Sequence, residues 1–211
     1  MQIHSLFGTH PTMTLNPQSQ VKAYTYDDHQ RLEESLNLLR NPGISEGDYR
    51  HLLELMLDFY EPAEIFLTQE FSADVKAKLD FSARLKSGWL KRDLRALKSS
   101  KSRSAKNSIA FSGKAYASPA RQLGLMYVME GATLGGQVIA RRFEMLFPRW
   151  IDATRFYRSY EKDLGTRWMN FQRVIGEEIK TLEDVAEYCE GAKEAFRGFQ
   201  RAIKSWSGMS H

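Results

Sequence analysis

Cysteine is almost missing from this sequence, with Cys189 alone among 211 residues. No intrachain disulfide can form, and no cysteine cluster can hold zinc or an iron–sulfur centre. Such a chain suits a reducing cytoplasm. Also lacking is a basic start followed by a long apolar run, because the first twenty residues hold Pro11, Pro17 and several polar side chains. No secretory signal is expected there, and Met1 to about Pro17 reads as a loose tail. The most apolar stretch, residues 123–140, contains Glu130, Thr133, Gln137 and several glycines. It reads as a buried helix, with no membrane insertion. Sustained period-two alternation of β-branched residues is absent as well, whereas apolar residues recur at helical spacing almost everywhere after residue 20. The length fits one all-α domain, drawn at 19–207 behind a flexible 1–18 tail.

The net charge of +4 is modest but unevenly spread, since 84–121 holds eleven Lys/Arg against the single acid Asp93. One reading is a solvated loop, because residues 99–104 alternate serine with Lys/Arg. Nucleic acid fits poorly: no zinc-finger, RNP or helix-turn-helix signature accompanies the charge, and aromatics do not interleave with it. An acidic protein partner would be steered by such a patch.

Helix boundaries are marked by short signals. Asn41-Pro42-Gly43 ends a first helix, Ser45 with Asp48 opens a second, Ser118-Pro119 opens a long one that Phe147-Pro148 closes, and Thr181 with Asp184 opens the last. Seven or eight helices result, with no internal repeat.

Of the five histidines, His4, His10 and His211 lie in the tails. On a helical wheel His51 points away from the stripe of Tyr49, Leu52, Leu53, Met56 and Tyr60, toward solvent. His29 instead falls with Val21, Thr25, Leu32, Leu36 and Leu39, and is expected to point inward. A lone inward histidine is ordinarily a satisfied core residue. Glu33, one turn on, admits another role, in which its carboxylate takes the Nδ1 proton and leaves Nε2 for a metal. The 119–147 helix carries Gly131, Gly135 and Gly136, each costing roughly 1 kcal/mol relative to alanine in a helix interior. Close helix packing would compensate; so would a flat ligand laid against bare backbone, with the glycines letting the helix kink. No strand precedes these glycines, so a dinucleotide site is excluded.

In several blocks the chain resembles the heme oxygenases, especially bacterial ones. They are Thr25 through Glu33, Trp89 through Leu94, Tyr127 through Gln137, Gly165 through Phe171, and Ala195 through Phe199. The resemblance implies a multi-helix bundle holding heme b, at once substrate and cofactor, between a proximal and a kinked distal helix. It implies His29 as iron ligand, Glu33 as its hydrogen-bond partner, and Gly131, Gly135 and Gly136 as the distal face. Lys22 and Tyr127 match positions that contact the heme propionates, in members that open the α edge. Phe196 and Phe199 match the pocket wall. O2 and electrons from a ferredoxin, flavodoxin or reductase, docking on the basic 84–121 segment, would yield biliverdin IXα, CO and ferrous iron. One departure is Ala132, where some members have aspartate, so proton delivery needs other groups. Two further readings stand beside this one: a heme- or tetrapyrrole-binding protein of the same fold without turnover, and a non-heme di-iron oxidase, which needs several inward Glu/His ligands.

Overall fold

The computed structural model describes residues 15–35, 44–98 and 113–207, in which helices and turns account for all the regular structure and no strand occurs. Eight α-helices lie within them: α1 Pro17–Tyr24, α2 Tyr26–Ser35, α3 Glu46–Glu70, α4 Ala73–Leu79, α5 Ser87–Ala96, α6 Pro119–Leu146, α7 Leu164–Glu178 and α8 Leu182–Ser207. Short 3-10 turns at Phe81–Arg84, Gly113–Tyr116, Pro148–Ala153 and Glu161–Asp163 join several of them. The Asn41-Pro42-Gly43 break and the Ser/Lys/Arg stretch at 99–104 lie outside the described residues.

The legible caps form as their chemistry requires. Ser45 accepts the Asp48 N–H at 3.1 Å while Asp48 accepts the Ser45 N–H at 2.8 Å, satisfying two orphan donors reciprocally. Thr181 and Asp184 repeat this box at the start of α8, at 3.0 and 2.8 Å. Ser118 caps α6 with Pro119 in its first turn, and α6 runs uninterrupted through its glycines to Phe147.

The centre is the α6–α8 pair, which is in backbone contact. Gly124 and Gly191 make that approach: a Cβ on Gly124 would overlap the Tyr188 carbonyl and sit 2.6 Å from the Ala192 nitrogen, and one on Gly191 would sit 2.7 Å from the Arg121 Cα. Beside the crossing, Arg121 Nε donates to Glu187 at 2.6 Å, with Ser118 on the same carboxylate at 3.0 Å. The long α3 lies across this pair. Its Tyr60 hydroxyl donates to the Met129 carbonyl at 2.8 Å, Phe59 stacks on Phe199, and Tyr49 stacks on Phe143. At the other flank α1 and α2 pack on α8, so α8 touches both the histidine helix and the glycine helix. Among the described residues no helix is long and apolar enough to cross a membrane.

Candidate functional site

His29 is not buried: its side chain is 53% exposed. The inward expectation fails by a margin: Thr25 separates α1 from α2 but the buried row keeps helical spacing through it, and His29 lies at the edge of that row. The row facing α8 contains Val21, Thr25 and Asp28, all buried, with Leu32 half-buried. His29 flanks that row, its ring meeting Phe196 of α8 edge-on at 5.7 Å. Gln200, one turn beyond Phe196, donates to the Asp28 carbonyl at 3.0 Å and fixes α2 beside the histidine. Glu33 Oε1 lies 3.7 Å from His29 Nδ1, within ion-pair reach but longer than a hydrogen bond. His51 lies off the buried row of α3 and is 30% exposed, 3.7 Å from Glu54. Among the described residues no group of three or more His, Cys, Asp or Glu is arranged to hold a metal ion, so the ligand set of a di-iron centre does not assemble there.

The α6 glycines divide by environment. Gly136 is buried, and a Cβ there would come 2.9 Å from the Tyr157 carbonyl, so it serves packing. Gly131 and Gly135 would meet nothing within 4 Å. Around them Leu134 and Val138 are exposed, which leaves an apolar face with bare backbone at its centre.

The remaining expected residues scatter more. Lys22 is exposed on α1, and the half-buried Tyr127 ring packs against Trp168 and Tyr188, burial raising its hydroxyl pKa. Phe199 is buried on Phe59 and belongs to the core, whereas Phe196 touches His29.

Sequence reasoning misses a buried charge cluster beside the glycine face. Arg84 and Lys86, both in the basic segment, are each 1% exposed and both bind Glu130. Burial alone would push the Glu130 carboxyl up, but Lys86 and Arg84 outweigh it and hold it below the usual range. Lys86 likewise stays charged: burial lowers its pKa, and Glu130 and Tyr160 more than reverse that. The available signal was Glu130 itself, the single charge in residues 123–140, which burial obliges to find a partner.

Fold and site together define an all-helical protein presenting one exposed histidine and one stretch of bare helix from two helices fastened to a common third. A family model described as heme oxygenase matches residues 16–205, and the chain belongs to that family. A heme oxygenase of Xanthomonas campestris pv. campestris (strain 8004) is 30% identical over 86 residues, 41% of this chain and 52% of that protein. The alignment thus spans about half the length of that curated relative. The crystal structure of the NO- and CO-bound heme oxygenase from Neisseria meningitidis superposes with a TM-score of 0.72 at 19% identity, covering 93% of this chain and 94% of that one.

Heme, which the family implies, fits the residues present. An exposed imidazole can ligate iron where a satisfied core histidine cannot, and the open glycine positions leave room for a flat ring against an apolar face.

Proposed function

We propose that this chain binds heme b through His29 and, with O2 and electrons from an external donor, opens it to biliverdin, CO and ferrous iron. Bound heme supplies the redox-active iron and the ring that is consumed. The protein's part is to hold, shape and exclude. His29 is the iron ligand, with Glu33 orienting its Nδ1 side and Phe196 bracing the ring. Gly131 and Gly135 leave the opposite face free of side chains, so backbone rather than a distal acid or base borders the reacting edge. One observation carries the reading: of the four α6 glycines, the two whose Cβ positions are open, Gly131 and Gly135, are the two on the exposed apolar face.

Lys22 and Tyr127 anchor the propionates in this proposal, which fixes the in-plane rotation of the ring and favours the IXα isomer. A preference of about 1.4 kcal/mol between two seatings already biases them tenfold.

The donor is expected on a smaller basic face than the sequence implied. Arg84 and Lys86 are engaged by Glu130, Arg121 by Glu187, and Lys91 by Glu61. Arg92 and Arg95 remain exposed on α5. Asp93 accepts the Arg155 and Phe156 backbone N–H groups at 3.1 and 2.8 Å, which draws the exposed Arg155 alongside. An acidic ferredoxin, flavodoxin or reductase domain matches that charge.

The test is a heme titration, then reductant in air, then chromatography of the pigment. Biliverdin IXα is expected. A stable heme complex that survives reductant would make the chain a carrier, and mainly β or δ isomer would remove Lys22 and Tyr127 as anchors.

A further inference from the structure

At Gly131 and Gly135 a Cβ would meet nothing within 4 Å, so no neighbour packs on that face of α6 to hold it. Helices are held in rotation and register by interdigitating side chains, so a bare stretch must be fixed from its flanks. On one flank Gly136 rests on Tyr157. On the other stands Glu130, immediately before Gly131. Its Oε2 accepts Arg84 Nη1 at 2.5 Å, and its Oε1 accepts both Lys86 Nζ and the Tyr160 hydroxyl, the latter at 2.8 Å.

Those partners are themselves tied down. Arg84 also donates to the Leu79 carbonyl at 2.6 Å, and to the Arg167 carbonyl and Asn170 Oδ1 at 3.0 Å each. Lys86 and Ser87 present their backbone N–H groups to the buried Glu64 of α3. Thus one carboxylate on α6 is held by the turn after α4, the start of α5 and the segment before α7, with α3 and α7 behind them. As a source of stability this arrangement is poor, because apolar residues of similar volume stabilise a core at least as well as buried ions. What directed, charge-assisted bonds add is a fixed position.

We propose that Glu130 is the positioning residue of the glycine face: it sets the rotation and height of α6 at Gly131 and Gly135, and thereby the clearance between bare backbone and heme. The geometry stands without the heme reading, while the consequence for heme rests on it.

The experiment uses Glu130→Gln in the full chain. In ligand-free protein, amide exchange across 131–136 is expected to rise about tenfold or more, while residues 49–57 of α3 change by less than about threefold. In ferric heme-loaded protein, the pH midpoint of the acid–alkaline spectral transition is expected to move, with heme affinity within about threefold because the His29 side is untouched. A uniform rise in exchange over the whole chain would assign the cluster to global stability and overturn the proposal. So would a folded variant with unchanged exchange at 131–136. If Glu130→Gln does not fold, Tyr160→Phe decides: it removes one bond and no charge, so smaller changes in the same two readouts are expected and their absence overturns the proposal. Should wild-type protein fail to bind heme, the proposed function falls while the exchange measurement still judges Glu130.

Discussion

Alanine at each of three α6 glycines should give effects of different sign. Gly131→Ala and Gly135→Ala place a methyl where nothing lies within 4 Å, so the strain term vanishes. What remains is helix propensity, a gain of roughly 0.5–1 kcal/mol each in ligand-free protein. For a chain of this size that is a rise in melting temperature of about 1–4 °C. Gly124→Ala has the same propensity gain, but its methyl would run into the Tyr188 carbonyl and the Ala192 nitrogen, at 2.6 Å from the latter. Both are backbone atoms of α8, so neither can turn aside, and overpacking costs about 1–3 kcal/mol or more. The net change is destabilising by several degrees. Thermal and urea unfolding followed by far-UV circular dichroism measures all three, and a heme titration supplies the second axis. The variants that stabilise the ligand-free chain are expected to weaken heme binding, because the same methyl intrudes on the ring's space. If Gly131→Ala lowers the melting temperature, the face is not bare. If it raises the melting temperature and leaves heme affinity intact, the face is bare but heme does not lie there.

His29→Ala is expected to abolish the ligated Soret spectrum and coupled turnover while helix content and melting stay close to wild type; an unaltered ferric spectrum would remove His29 from the site. Arg92→Glu with Arg95→Glu should slow donor-driven turnover at low salt and leave turnover with a small chemical reductant unchanged, and equal loss with both reductants would dismiss the docking face. Asp93 gives a pH signature: burial raises its carboxyl to about 6 despite two backbone N–H donors. Its folded pKa lies above the unfolded one, so between about pH 4 and 6 the native state holds more protons, and stability from this group falls as pH rises through that window. Two pK units set a ceiling of roughly 2.7 kcal/mol. Asp93→Asn should flatten that slope in urea titrations, and an equal slope in both proteins would show that another group causes it.

Helix positions are readable where local chemistry sets them. Ser45, Ser118 and Thr181 cap because a hydroxyl three residues before a free N–H needs no tertiary partner. The orientation of His29 is not readable, because the buried row of Val21, Thr25, Asp28 and Leu32 keeps helical spacing straight through Thr25 and His29 sits at its margin, where a wheel does not separate covered from open. The glycines illustrate the same limit. Sequence offers packing or ligand for all of them, and the structure divides them, since the distinction depends on what α8 and Tyr157 place opposite each one. Arg84 and Lys86 count as surface charge in the sequence for a similar reason, as burial of a cation is decided by a distant anion.

The crossing at Gly124 and Gly191 makes α8 a gauge. The histidine helix leans on it through Phe196 and Gln200, and the glycine helix meets it backbone to backbone seven residues before Gly131. The span between histidine and glycine face is therefore measured along a single helix, from the residue at 191 to that at 200. A larger residue at 191 would widen the span at one end only, tilting α6 instead of moving it bodily. If heme is held as proposed, the room left for its thickness is set along α8, by the glycine crossing at one end and by Phe196 and Gln200 at the other.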